Sequence, residues 1–284
     1  MTDENQSHPV NNPIISKRCP PSHGKKWLID AWELFKLSPW AWIGSVFAMF
    51  MILIVLLVIP VVGLFATVAS SIFLGGLMLG CLAQKKRQPF NISYLFKGFE
   101  VETANLMLAG LLYLGGTVFC SMLAFWFSSL LGFEVLEVNP QEVMSGTFDI
   151  QAYMQSLLMP LLFMLLFLLP LLMAFWFAPA LIVFKKAKPI EAFKLSFKAC
   201  NQNMIAFLLY GLYGFVSLVI LTLFTQTFAM LLPLIAMPIN LILNMALLAV
   251  IVISIFTSFE DIFGENEYDE PKQQPEEPSD QLTL

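Results

Sequence analysis

The fold is decided by residues 37–84, which read LSPWAWIGSVFAMFMILIVLLVIPVVGLFATVASSIFLGGLMLGCLAQ and contain no charged side chain. A helix rises about 1.5 Å per residue and the hydrocarbon core of a bilayer is about 30 Å thick, so roughly 20 apolar residues cross it once. These 48 residues are therefore long enough for two crossings. Pro60 and Gly63 lie near the middle of the stretch, where two helices would need a turn.

Three further stretches lack charge. They enclose 31 residues between Glu102 and Glu134, 35 between Asp149 and Lys185, and 61 between Lys198 and Glu260. The first two have the length of one crossing each, and the last has the length of two. The sequence therefore predicts six spans, which we place at about residues 40–59, 62–83, 104–131, 157–184, 204–226 and 233–257.

The basic residues support an even number of crossings. With six spans, three basic clusters fall on one side and the outer loops contain no Lys or Arg, as the positive-inside rule requires. The clusters are Lys17, Arg18, Lys25, Lys26 and Lys36; Lys85, Lys86, Arg87 and Lys97; and Lys185, Lys186, Lys188, Lys194 and Lys198. Both termini are then predicted to be cytoplasmic. A re-entrant hairpin would keep the same parity with fewer crossings, and the sequence leaves that alternative open.

Composition agrees with an all-α membrane protein. Hydrophobic residues make up 58% and charged residues 12% of the chain, whereas soluble domains have about 25% charged residues. We predict a membrane domain at residues 25–263 between two disordered tails, 1–24 and 264–284. The C-terminal tail is acidic and proline-rich, with too few apolar residues to form a core.

Three short segments on the inner side have the pattern of interfacial amphipathic helices, each directly before an odd-numbered span. Their apolar faces are Trp27, Leu28, Ala31, Trp32 and Phe35; Ile92, Leu95, Phe96 and Phe99; and Ile190, Phe193 and Phe197. The recurrence fits a threefold repeat of one interfacial helix and two spans. Any amphipathic helix built from Leu, Phe and Lys gives a similar pattern, so the sequence does not separate the two explanations.

Several of these segments carry a family resemblance. They are KWL at residues 26–28, AWELF at 31–35, GGLMLGC at 75–81, APALIVF at 178–184, EAFKLSF at 191–197 with Cys200 and Asn203, and FEDIF at 259–263. Together they resemble a family of uncharacterised six-span inner-membrane proteins of Gram-negative bacteria. The pattern is also distantly similar to the membrane domain of some glycerophosphodiester phosphodiesterases. The resemblance implies an inner-membrane location and this architecture, and it implies no chemistry.

Catalysis requires ionisable or nucleophilic groups that converge, and the predicted spans contain no Asp, Glu, Lys, Arg or His. The acidic residues of the outer loop, Glu134, Glu137, Glu142 and Asp149, have no His or Cys beside them. The four cysteines form no CxxC pair, and His8 and His23 both fall in the N-terminal tail. We therefore expect no enzymatic activity, no cofactor, no metal and no nucleic-acid partner.

Four uncharged residues are the candidates for helix packing or for a transport pathway. Asn240 and Asn244 share one face of the sixth span, where they could hydrogen-bond between helices or line a path. Gly76 and Gly80 form a GxxxG spacing, which allows close helix approach and favours packing within the monomer over homodimerisation.

Eight basic residues are the candidates for contact with anionic lipid: Lys85, Lys86, Arg87, Lys185, Lys186, Lys188, Lys194 and Lys198. Such residues each gain about 1 kcal/mol near an anionic leaflet, although orientation of the spans alone is the simpler explanation for them. We expect a non-enzymatic structural or accessory component of the bacterial inner membrane that interacts with lipid, including anionic phospholipids, or with partner membrane proteins. The alternative is a facilitative transporter of a small uncharged or amphiphilic molecule.

Overall fold

The computed structural model describes residues 14–59 and 63–264. Within them the chain is helical and contains no strand. The elements are α1 (His23–Leu37), α2 (Pro39–Val58), α3 (Leu64–Lys85), a 3-10 helix (Ile92–Phe99), α4 (Thr103–Leu130), α5 (Pro140–Ser145), α6 (Ile150–Trp176), α7 (Ala178–Lys185), α8 (Pro189–Gln202), α9 (Met204–Leu231) and α10 (Pro233–Phe263). Residues 1–13 and 265–284 of the two predicted disordered tails lie outside the described residues.

Among the described residues, six helical segments are long and apolar enough to cross a membrane: α2, α3, α4, α6 continued by α7, α9 and α10. The predicted all-α class with six candidate membrane-spanning helices is confirmed. α6 begins before the span predicted at residues 157–184, and α10 continues beyond the one predicted at 233–257. The extension of α10 carries Glu260 and Asp261, whose side chains meet basic and polar partners there.

The two ends of the bundle differ in packing. One end, which we call the basic end, carries Lys85 and the lysines of residues 185–198, and the opposite loop end carries residues 131–149. The core lies at the basic end, where α7 is buried from Ala178 to Phe184 and the last turns of α10 are also buried. Towards the loop end, α4, α6 and α9 expose most of their large apolar side chains, as helices surrounded by lipid do.

Glycines in α3 allow the 3-10 helix to lie directly on its backbone. A Cβ atom at Gly76 would overlap the Tyr94 carbonyl oxygen and lie 2.9 Å from the Gly98 nitrogen, and one at Gly80 would overlap the Phe90 ring. Gly98 in turn leaves room for the Ile72 carbonyl oxygen. The GxxxG spacing thus serves packing within the chain, and its partner is a short irregular helix instead of another span.

The α6–α7 break is bridged by a serine of α8. The Ser196 hydroxyl donates to the Met173 carbonyl oxygen at 2.7 Å and accepts from the Phe177 N–H at 3.0 Å. In an uninterrupted helix those two backbone groups would bond to each other. The proline at position 179 cannot donate a backbone hydrogen bond, which favours a break here. Ser196 is fully buried, so α8 is fixed against this point of the fourth span.

Residues 14–22, which we call the N-terminal strap, are bound to the bundle. The Lys17 N–H donates to the Ile262 carbonyl oxygen at 2.8 Å, and the Cys19 N–H donates to Asn203 Oδ1 at 2.7 Å. Asn203 Nδ2 donates back to the Lys17 carbonyl oxygen at 3.0 Å. These bonds correct the prediction that residues 14–24 belong to a disordered tail. The buried Asn203 side chain supplies partners that the polar composition of the strap did not indicate.

Helices occur at all three positions predicted to hold interfacial helices, the second as a 3-10 helix. Some residues of the predicted apolar faces are buried in the protein, including Leu95 of the 3-10 helix. Trp27, Ala31 and Phe35 of α1 are buried in the protein core, whereas we expected them to face the membrane boundary. The interfacial position of the three segments and the threefold repeat stay predictions.

The contact at Gly76 generates a stability prediction. Gly76→Ala should lower the free energy of unfolding in detergent by about 1–3 kcal/mol, because the added methyl group forces the 3-10 helix away from α3. The matched control is Gly115→Ala in α4, where an added Cβ meets nothing within 4 Å. Thermal or denaturant unfolding of both variants would measure the difference. An equal loss in the two variants would contradict the close packing described here.

Candidate lipid-contact site

A groove opens on the side of the bundle between α6, α8 and α9. Its volume is about 260 Å³. α6 packs against α4 and α8, whereas α9 packs against α1 and α10, so the two helices diverge and leave the space between them. The lining includes Leu172, Met173 and Trp176 of α6, Cys200 of α8, and Phe207 and Leu208 of α9.

The groove is almost entirely apolar. The Trp176 indole is packed edge-on against the rings of Phe207 and Tyr210, each at 5.9 Å between centroids. Its Nε1–H is buried and has no hydrogen-bond acceptor among the described residues. Burial raises the pKa of the Cys200 thiol to about 12, which leaves it neutral at physiological pH. Such a lining suits a hydrocarbon chain and offers no general base or reactive thiolate.

α8 runs beside the groove and has three distinct faces. Ala192, Ser196, Ala199 and Cys200 pack against the protein. Ile190 and Phe197 are exposed, and Lys194 and Lys198 follow them around the helix, also exposed. An exposed apolar strip next to a lysine strip is the arrangement of a helix at the boundary between acyl chains and headgroups.

The eight basic residues predicted to contact anionic lipid are all at the basic end, in three groups. Lys85 forms an ion pair with Glu260, with 3.0 Å between Nζ and Oε1, so its charge is partly matched within the protein. Lys86 and Arg87 follow α3 and are exposed. Lys185 ends α7, Lys186 and Lys188 lie between α7 and α8, and Lys194 and Lys198 lie on α8. Whether they bind lipid stays a prediction.

The predicted asparagine pair lies on one face of α10 and is half-buried. Asn244 Nδ2 donates to the Asn240 carbonyl oxygen at 2.8 Å and also contacts Asn240 Oδ1. Across residues 14–59 and 63–264, the hydrogen bonds shown for this pair stay within α10, and whether the pair serves helix packing or a pathway stays a prediction. At i and i+4 the two amides reach each other more easily than a neighbouring helix.

At the loop end a second cavity of about 570 Å³ lies between α4, α6 and the connection between them. Ser128, Glu134 and Tyr153 contribute polar groups to its lining. Two of the other loop carboxylates serve local structure: Asp149 accepts the Ala152 N–H at 2.9 Å at the start of α6, and Glu142 accepts from Asn139 at 3.2 Å.

Sequence reasoning missed a cluster at the basic end that joins the strap, α1 and α10. Asp261 Oδ2 accepts from His23 Nδ1 at 2.6 Å and from Trp27 Nε1 at 2.7 Å. Lys26 Nζ lies 3.8 Å from Asp261 Oδ1, and the Cys19 thiol lies 3.9 Å from the Asp261 carbonyl oxygen. Burial, and then the negative charge of Asp261, raise the pKa of Cys19 to about 12. The four-residue spacing of Cys19 and His23 was the only sequence signal.

Comparison with known proteins gives one similarity. No protein-family model matches the chain, and no solved structure matches it. The chain is similar to a probable inner membrane protein of Burkholderia thailandensis, with 27% identity over 209 residues that cover 68% of this chain and 72% of the relative. Together with the six apolar helices, this similarity supports an integral membrane protein.

Proposed function

We propose that the protein is a non-enzymatic accessory component of the bacterial inner membrane that binds phospholipid at its basic end. The observation that carries the proposal is the apolar groove between α6 and α9, which is lined in part by Cys200 of α8, the helix that also carries the exposed Lys194 and Lys198. A lateral groove is accessible to an acyl chain from within the bilayer. The similarity to a probable inner membrane protein of Burkholderia thailandensis supports the location.

The positive charge on α8 favours an anionic headgroup. Lys194 and Lys198 are exposed and lie one helical turn apart on α8. The exposed Ile190 and Phe197 precede them around the helix and would contact the acyl-chain region. A phospholipid could therefore place its chain in the groove and its phosphate near the lysines, where each positive charge contributes about 1 kcal/mol.

The chemistry of the groove supports binding over catalysis. Apart from the methionine thioethers, the side chains that line the groove carry two heteroatoms: the Cys200 thiol sulfur and the Trp176 indole nitrogen. Burial raises the pKa of Cys200 to about 12, and an indole N–H only donates. Neither group can take a proton from a substrate at neutral pH.

The loop-end cavity is the observation that supports the alternative function, facilitated transport of a small uncharged or amphiphilic molecule. That cavity has polar groups from Ser128, Glu134 and Tyr153 and is larger than the groove. A facilitator would need a continuous path from there past Pro160 to the basic end. The dense packing of α3, α7 and α10 at that end favours the accessory role.

We infer from the charge distribution that the basic end and both termini face the cytoplasm. In spheroplasts of a cysteine-free background, a cysteine replacing Glu142 in α5 should react with a membrane-impermeant maleimide. A cysteine replacing Lys86 should react only after permeabilisation. Labelling of the Lys86 position from outside would contradict the orientation.

Lipid binding itself can be tested by counting retained phospholipid. Leu208→Trp fills the groove and should reduce the phospholipid that remains bound after gentle extraction, as measured by native mass spectrometry. Leu212→Trp is the matched control, since Leu212 is similarly exposed one turn further along α9 and does not line the groove. Equal retention in both variants would contradict the groove as the lipid site.

The lysine strip has its own control. Replacing Lys194 and Lys198 with Gln should reduce the share of anionic phospholipid among the retained lipids, whereas replacing both with Arg should preserve it. An unchanged lipid composition in the Gln variant would leave these lysines as signals for membrane orientation and would contradict their role in lipid binding.

A further inference from the structure

We propose that Cys19, His23 and Asp261 form a binding site for Zn²⁺ at the basic end of the bundle. The thiol sulfur, an imidazole nitrogen and a carboxylate oxygen of these residues all lie within 4.8 Å of one another. They come from three places in the chain: the strap, the first turn of α1 and the last turn of α10. This inference is independent of lipid binding.

Shifts of the side chains would bring the three ligand atoms to the distances of a tetrahedral site. Zn²⁺ binds sulfur at about 2.3 Å and nitrogen or oxygen at about 2.0 Å, which places neighbouring ligand atoms roughly 3.3–3.6 Å apart in a tetrahedron. His23 Nδ1 and Asp261 Oδ2 are at 2.6 Å and would separate slightly to admit the ion. The Cys19 thiol would approach by a side-chain rotation, because its backbone N–H is already fixed by Asn203.

The donor types select the metal. Thiolate, imidazole and carboxylate together are a ligand set for Zn²⁺, whereas Mg²⁺ and Ca²⁺ take oxygen ligands alone. Binding would displace the thiol proton to solvent, and the thiolate and carboxylate would then match the charge of the ion. The side chains of His23 and Asp261 are 29% and 18% exposed, so water can reach the fourth position.

Surrounding residues hold the carboxylate in place. Trp27 Nε1 donates to Asp261 Oδ2 at 2.7 Å, which is the kind of supporting hydrogen bond that orients a metal ligand. The positive charge of Lys26 would oppose the binding of a cation, since its ammonium lies 3.8 Å from Asp261 Oδ1. Lys26 is half exposed and can turn towards solvent when a cation binds.

A bound ion would strengthen the attachment of the strap and α1 to α10. His23 and Asp261 are 238 residues apart in sequence, and a ligand that binds only the folded state raises the unfolding temperature. Without metal, the hydrogen bonds of Asp261 to His23 and Trp27 hold the same segments. The rival explanation is therefore a hydrogen-bonded clamp that takes no metal.

The test uses the full-length, tag-free protein in detergent after chelator treatment. Co²⁺ should bind at about one equivalent and give a near-ultraviolet thiolate-to-metal band, because it occupies zinc sites with the same ligands. Cys19→Ser should remove that band. In competition with a chromophoric chelator, His23→Gln should weaken Zn²⁺ binding on the order of tenfold or more, since even loss of a supporting residue costs about that much.

Two control variants separate this site from other thiols and histidines. Cys120→Ser and His8→Gln should keep both the Co²⁺ band and the Zn²⁺ affinity of the unmodified protein. If Cys19→Ser fails to fold, the spectrum of the unmodified protein still decides the matter. Absence of a thiolate band there, or equal affinity in His23→Gln, would overturn the proposal and leave the cluster as a clamp only.

Discussion

The rest of the basic end depends on one carboxylate at the end of an apolar helix. Asp261 is only 18% exposed, and a partly buried charge is costly unless it has hydrogen-bond partners. Trp27 and His23 of α1 supply them, so α1 is held against α10. Trp27 is fully buried and its carbonyl oxygen accepts from Thr257 of α10 at 2.8 Å. α9 packs mainly on α1 and α10, so its position follows from the same contact.

The two ends of the bundle differ in packing because the solvent around the helices is apolar lipid. Lipid is as apolar as leucine, so apolar burial does not drive helices together inside a bilayer. Close packing then needs either small residues or polar contacts, and the basic end has both, as Gly76 against the 3-10 helix and Ser196 at the α6 break illustrate. Beside this packed end lies the groove between α6, α8 and α9, where we propose that an acyl chain binds.

The fold class could be predicted from the sequence because a bilayer permits few kinds of backbone structure. Charge-free stretches of sufficient length must form helices, and six are present. The use of Gly76 in close packing was also predictable, but its partner was not, because the amphipathic pattern of residues 92–99 predicted a helix at the membrane interface instead of one packed on α3. The cluster around Asp261 could not be predicted from the sequence, because Cys19 and His23 lie near Asp261 only once α1 packs against the bundle. The order of the strap likewise depends on the distant Asn203 side chain.

The most direct measurement is a double-mutant cycle with Trp27→Phe and Asp261→Asn, made in chelator-containing detergent so that no metal contributes. Unfolding free energies of the single and double variants isolate the coupling between the indole N–H and the carboxylate. Our account predicts a coupling of about 1–3 kcal/mol, the range for a hydrogen bond to a charged group in a partly buried site. Additive effects, within about 0.5 kcal/mol, would contradict the claim that this bond fastens α1 to the bundle.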